Sequence, residues 1–150
     1  MTTRWDIHFL RLARECSRMS KDPSTKVGAV IVKDRRVFST GFNGFAPGVA
    51  DDHRLNDRAK KYALVIHAEM NAIIYAGRES QGATLYLWGF EGAPCANCAK
   101  HLAAAGVVRV VASGPPIPER WADSLAEAER ILYEADVGIR YYHRSEVEEL

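Results

Sequence analysis

Two short stretches constrain this chain more than anything else in it: His67-Ala68-Glu69 and, further along, Pro94-Cys95-Ala96-Asn97-Cys98. Their separation is too long for one helical turn and about right for a helix, a strand and the start of a second helix. Side chains two apart on a helix do not face each other, so His67 and Glu69 cannot both address one point from mid-helix. At a helix N-terminus they can. Cys95 and Cys98 are three apart and share a face, with Pro94 expected at the first helical position, where its missing N–H costs nothing. Two helix N-termini then converge, and their positive ends favour thiolates. Two thiolates and one imidazole suit zinc, and three protein ligands with an open fourth position is the catalytic arrangement. Glu69 would lie beside the metal without binding it, placed to move the protons of a water. The alternative is a structural zinc with Cys16, His53 or His101 as fourth ligand, or no metal.

The remaining properties set limits. A chain of 150 residues fits one domain, 1–150, and can bury a sizeable core. A net charge of +1 leaves no strongly basic face for long nucleic acid. With two of three cysteines assigned to a metal, no disulfide framework is expected and a reducing compartment is. No apolar run approaches the ~18 residues that span a membrane, and Met1 to Asp6 holds no apolar signal region. These features predict a soluble, cytoplasmic protein with no membrane partner.

Taken in order, Trp5, Phe9, Leu12, Cys16 and Met19 recur at helical spacing and predict an amphipathic helix from Thr3 to Met19, capped by Thr3 with Asp6. Cys16 then reads as a small core residue. Ser20 to Lys26 is a polar loop. Val27 to Val32 is apolar and β-branched, fit for a central strand, and Val37 to Phe42 returns as the second strand of a hairpin. A Gly- and Pro-rich loop leads to a short exposed helix within Asp51 to Lys61. Thereafter helices (Ala68 to Arg78, Pro94 to Ala105, Glu119 to Ala135) alternate with strands (Ala83 to Trp88, Val107 to Ala112, Ile139 to His143). Ser145 to Leu150 reads as an acidic, solvated end, so residues 144–150 are expected to be a tail. The order predicts an α/β protein with a mixed sheet between helical layers.

The motifs are similar to those of deoxycytidylate deaminases. The resemblance is carried by Ser20-Lys21-Asp22-Pro23 through Val32, by Gly41-Phe42-Asn43-Gly44, by His67-Ala68-Glu69-Met70-Asn71 and by Pro94-Cys95-Ala96-Asn97-Cys98-Ala99-Lys100, and runs from about Trp5 to Gly138. H-x-E followed by P-C-x-x-C is also the general signature of zinc nucleobase deaminases. The resemblance implies a three-layer α/β/α cytidine deaminase-like fold with a mixed five-stranded sheet. It implies hydrolysis of dCMP to dUMP and ammonia, with His67, Cys95 and Cys98 as ligands of one zinc per chain and Glu69 as proton shuttle. Asn43 stands where the family contacts the sugar, and the Ala68 N–H where it fixes the base carbonyl. Family members are often homo-oligomers, dimers or hexamers, and many respond to dCTP and dTTP; Phe42 stands where Tyr is frequent.

From the residues themselves, Lys21, Ser24, Thr25 and Lys26 offer charge and hydroxyls for a nucleotide phosphate, with Arg120 and Trp121 as weaker candidates; Trp121 otherwise fits its helix stripe as core. Two departures from the family pattern bear on specificity. Gly89-Phe90-Glu91-Gly92-Ala93 lengthens the path from strand to Pro94, which remodels the pocket wall; either Phe90 or Trp88 stacks on the base, or the insertion is only a bulge. The stretch between Gly44 and His67 lacks the extra Cys and His that give some members another zinc. The competing readings are a deaminase for another base (5-modified dCMP, cytidine, guanine, adenosine in tRNA) and a non-catalytic zinc and nucleotide module.

Overall fold

A computed structural model describes residues 3–149. A five-stranded mixed sheet lies between two helical layers, with strand order β2-β1-β5-β6-β7. Its strands are β1 (Gly28–Lys33), β2 (Arg36–Phe42), β5 (Thr84–Trp88), β6 (Arg109–Ser113) and β7 (Gly138–Tyr141). β1 runs antiparallel to both β2 and β5, while β5, β6 and β7 are parallel. The β1–β2 hairpin turns through Asp34 and Arg35, both at positive φ (55° and 61°), which matches the twist of the flanking strands.

Side-chain alternation sorts the core into two halves. Ala29, Ile31, Leu85, Leu87, Val110 and Ala112 face one side and pack against α3 (Ala68–Ala76), α4 (Ala96–Ala104) and α5 (Ala122–Glu134). Val30, Val32, Tyr86, Trp88 and Val111 face the other and meet α1 (Thr3–Ser17). Continuous burial of β1 is what its unbroken apolar run predicts for a strand covered on both faces.

Four expectations change in detail. On α1 the buried stripe is Asp6, Ile7, Phe9, Leu10, Ala13 and Ser17, with Leu12 and Met19 exposed. Asp6 is no cap: it is fully buried and accepts hydrogen bonds from Tyr86 Oη and Tyr142 Oη (2.8 Å each) and a bidentate pair from Arg109 (2.8 and 2.7 Å). Residues 144–148 form α6 (Arg144–Glu148) in place of a solvated end, because Val147 buries its side chain against α1 and Arg11 donates to the Val147 and Glu149 carbonyls; Leu150 lies outside the described residues. The exposed helix becomes a 3-10 turn (His53–Asn56) and α2 (Arg58–Leu64), capped by Asp52 and Asp57. Beside α2, β3 (Gly44–Phe45) pairs with β4 (Val65–Ile66), a two-stranded ladder that sequence periodicity did not reveal. Among the described residues no helix is long and apolar enough to cross a membrane.

One glycine fixes the height of α3 over the sheet. A Cβ at Gly41 would stand 2.4 Å from the Ala68 carbonyl oxygen and 2.8 Å from the Ala72 nitrogen, both backbone atoms that cannot swing aside. Gly41→Ala is therefore expected to lift the first turn of α3 and destabilise the fold by about 1–3 kcal/mol. Urea unfolding measures the loss; an unchanged midpoint would mean that the helix accommodates the methyl group.

Candidate active site

His67 and Cys95 are the N-cap residues of α3 and α4, both in extended backbone conformation, and neither uses its side chain to cap its own helix. Ring and thiol are thus free to face each other across the two helix starts. Pro94 sits two positions earlier than expected, ahead of the N-cap, and the first N–H of α4, on Ala96, is satisfied from α5 by Ser124 Oγ at 3.1 Å. Cys98 follows in the first turn and is fully buried. His67 Nδ1 lies 3.2 Å from Cys98 Sγ and 3.4 Å from Cys95 Sγ. All three donor atoms lie within 4.8 Å of one another.

These separations suit zinc. Tetrahedral bonds of ~2.0–2.1 Å to nitrogen and ~2.3 Å to sulfur place the two donor types about 3.5 Å apart. Among the described residues this is the one cluster of three or more His, Cys, Asp or Glu donors at such spacing. The expected alternatives for a fourth ligand lie elsewhere. Cys16 packs beside the α1 side of the sheet, His53 is exposed near Asp52, and His101 is exposed and bonded to the Asn97 carbonyl. The three-donor geometry with an open side is the one that the chain builds.

The protons on these groups follow from their mutual contacts. Cys95 is held down at about 4, first by the hydrogen bond from Cys98 and then by His67, against the opposing effect of burial. His67 is raised to about 9, chiefly by its bond to Cys95, with burial opposing and the charge of Glu69 adding. Cys98 is pushed up by donating to Cys95 and by burial. These contacts favour the charged forms of His67 and Cys95 and the neutral thiol of Cys98, and a metal ion held here would take the place of protons on its ligands. Glu69, buried at 4% exposure, is shifted toward its protonated form, mainly by burial, with the His67 charge pulling the other way.

His67, Ala68, Glu69 and Cys95 open onto a cavity which Val27, Asn43, Leu87, Phe90, Pro94 and Leu125 also line. Asn43 is buried and ties the 20–27 loop to the end of β2: its Oδ1 accepts from the Val27 N–H and its Nδ2 donates to the Thr25 carbonyl, both at 2.8 Å. Ser24 and Thr25 line the cavity, but Lys21 and Lys26 do not. Lys21 pairs with Asp51 at 3.2 Å on the surface, and Lys26 donates to the Ser20 carbonyl. The cavity's basic groups are instead Arg58, Lys61 and Arg120. Arg58 and Lys61 escaped sequence reasoning because they sit in a charged helix that resembles any solvated one.

The insertion before Pro94 is a fixed wall. Gly89 N–H donates to the Ser113 carbonyl and Glu91 N–H to the Pro115 carbonyl, both at 3.0 Å. Phe90 lines the cavity, whereas Trp88 turns to the opposite face of the sheet under the Arg14 guanidinium, 5.6 Å from its ring. Trp121 belongs to a 3-10 turn ahead of α5 and lines the cavity, contrary to its expected place in the core, because the helix starts one residue after it.

Comparison with known proteins agrees with this geometry. Residues 3–113 match the family described as the cytidine and deoxycytidylate deaminase zinc-binding region. The chain is 34% identical over 143 residues to an uncharacterized deaminase in the luxG 3′ region of Aliivibrio fischeri, covering 94% of this chain and 95% of that one. It is 39% identical over 121 residues to the deoxycytidylate deaminase of a Mycobacterium phage, covering 71% and 92%. In fold it is similar to the dCMP deaminase of cyanophage S-TIM5 solved in complex with dCMP and dUMP, at a TM-score of 0.73 and 24% identity over 93% of this chain and 98% of that one. With the match spanning both halves of the metal motif, the chain belongs to the cytidine and deoxycytidylate deaminase family.

Proposed function

We propose that this protein is a zinc-dependent hydrolase that converts dCMP to dUMP and ammonia, with one zinc per chain held by His67, Cys95 and Cys98. The observation that carries the reading is a buried carboxylate, Glu69, opening onto the same cavity as a three-donor centre. A structural zinc site has no use for that group. Relatives named deoxycytidylate deaminase, matched over most of their length by this chain, support dCMP as the substrate.

Bound zinc supplies the Lewis acidity that makes water a nucleophile at neutral pH. The chain's residues do the rest. Glu69 takes a proton from the attacking water and delivers it to N3 of the cytosine ring. It then takes the remaining proton from the oxygen now bonded to C4 and passes it to the exocyclic amine, so that the C4–N bond breaks, the C4 carbonyl forms and ammonia leaves. The Ala68 N–H, one of the donors that a helix start cannot satisfy internally, is available to the base carbonyl. Asn43, held by Val27 and Thr25, presents its remaining N–H to the sugar. Phe90 and Trp121 supply flat apolar surface for the base. Ser24 and Thr25 offer hydroxyls toward the phosphate. The proposal extends to a homo-oligomer, in which the exposed Ile74 and Tyr75 of α3 would be covered.

Ammonia release from dCMP, deoxycytidine, CMP, cytosine and 5-methyl-dCMP by zinc-loaded protein tests the reading. Turnover of dCMP well above that of deoxycytidine and cytosine is expected. If every cytosine compound is left intact while zinc is bound, the substrate is wrong and the wall at Gly89 to Ala93 becomes the place to look for another base.

A further inference from the structure

Three cationic side chains line the cavity, and they are not equivalent. Lys61 is buried, at 10% side-chain exposure, and its Nζ lies 3.2 Å from Asp22 Oδ1. Asp22 is itself buried and fixed, because Oδ1 also accepts from the Ser24 and Thr25 N–H groups at 2.8 and 3.1 Å. The pair is neutral as a unit, yet the ammonium keeps two further donors, while the Asp22 bonds hold the Ser24–Thr25 turn at the cavity wall. Arg58 and Arg120 differ: both are exposed, both line the cavity, and neither has a hydrogen-bond or ion-pair partner among the described residues. They come from separate elements, the first residue of α2 and the 3-10 turn ahead of α5. Two guanidiniums that line one cavity without a partner give it a positive charge that an anion bound there would neutralise.

We propose that Arg58 and Arg120 form a two-sided clamp for the dianionic 5′-phosphate of a nucleoside monophosphate, with Lys61 as the fixed donor of the same subsite. The proposal rests on the deaminase reading and deepens it by assigning the group that separates nucleotide from nucleoside. Charge selects the ligand. Lys61 is cancelled by Asp22, so the clamp carries a net charge of +2. That equals the charge of a phosphate monoester above its second ionisation, near ~6. A neutral nucleoside leaves both guanidiniums unpaired. A triphosphate brings more negative charge than the clamp neutralises and places the excess near Asp22. Guanidiniums also match phosphate oxygens two at a time, which a lysine does not.

The test is equilibrium binding of dUMP, deoxyuridine and dUTP to the zinc-loaded protein, for wild type, Arg58→Gln, Arg120→Gln and the double variant, alongside zinc content and ammonia release from dCMP. Wild type is expected to prefer dUMP over deoxyuridine by about 100-fold, each single variant to lose about tenfold and the double variant nearly all of it, as for charged hydrogen bonds. Deoxyuridine affinity and zinc content should not change. The wild-type preference should also fade as pH falls below ~6, where the monoester becomes a monoanion. A double variant that keeps the preference overturns the clamp, and so does a wild type that binds dUTP tighter than dUMP. Protein that shows an arginine-dependent preference for dUMP but releases no ammonia from dCMP upholds the clamp and overturns the deaminase reading. Ammonia release combined with arginine-independent affinity overturns the clamp alone.

Discussion

Glu69→Gln is expected to lower deamination by roughly 10³–10⁴-fold while zinc content stays at the wild-type level. Loss of a positioned general acid–base group removes about 10²–10⁴-fold, and the upper part of that range applies because Glu69 serves both proton transfers of the reaction. Glutamine keeps the shape and polarity of a protonated glutamic acid. A neutral amide is also no costlier to bury than a carboxyl group, so the substitution adds little cost in the fold. Metal analysis and a thermal melt should therefore match the wild type, and the effect should fall on kcat. A variant that retains more than a tenth of the activity would mean that another group moves the protons. A variant that loses its zinc would mean that Glu69 is a ligand.

The second large effect lies on the far side of the sheet. Asp6→Asn is expected to destabilise the protein by about 3–5 kcal/mol, the usual consequence of removing one member of a buried ion pair. That is a large share of a total stability of roughly 5–15 kcal/mol. Burial alone would raise the Asp6 carboxyl. The hydrogen bonds from Arg109, Tyr142 and Tyr86, with the Arg109 charge, together outweigh it, and the carboxyl titrates below its ordinary value of 3.8. A carboxyl lowered on folding contributes fully above its unfolded pKa, and the contribution is lost as pH falls through the folded value. Wild type should therefore lose stability on acidification below about pH 4, and the variant should lose less over the same range. Chemical unfolding at neutral pH and at pH 3 measures both quantities. Equal pH dependence of the two proteins would show that Asp6 is not the group being titrated.

How far each feature was legible depends on how local its cause is. His67, Glu69, Cys95 and Cys98 announce themselves because helix starts and ligand spacing are properties of adjacent residues. The strands of the sheet likewise follow from short apolar runs, and the parallel order from alternation with helices. Asp6 was misread because its partners stand 80, 103 and 136 positions away, in three different strands or their ends. A carboxylate near a helix start looks like a cap until those partners are in place. Val147 was hidden for the same reason: one apolar residue in an acidic run carries no periodicity, and only the groove beside α1 buries it. Lys21 and Lys26 had the right chemistry in the right loop, but Asp51 and the Ser20 carbonyl claim them. Trp121 kept helical spacing with Leu125 although the helix begins at Ala122.

The way α2 is mounted has a consequence for how this enzyme can change over time. The metal end of the cavity rests on α3 where that helix packs closely on β2, and there Gly41, Ala68 and Ala72 leave no room for variation. α2 packs chiefly on the short turn that precedes it, and its link to the body runs through the Lys61–Asp22 pair and the two-residue β3–β4 ladder. Mutations at the exposed positions of α2, Lys61 excepted, can thus alter which nucleotides are admitted at small cost to folding and without moving the reacting groups. Divergence among relatives should concentrate in residues 46–64 and in the turn carrying Arg120, so that new substrate preferences evolve on an unchanged catalytic frame.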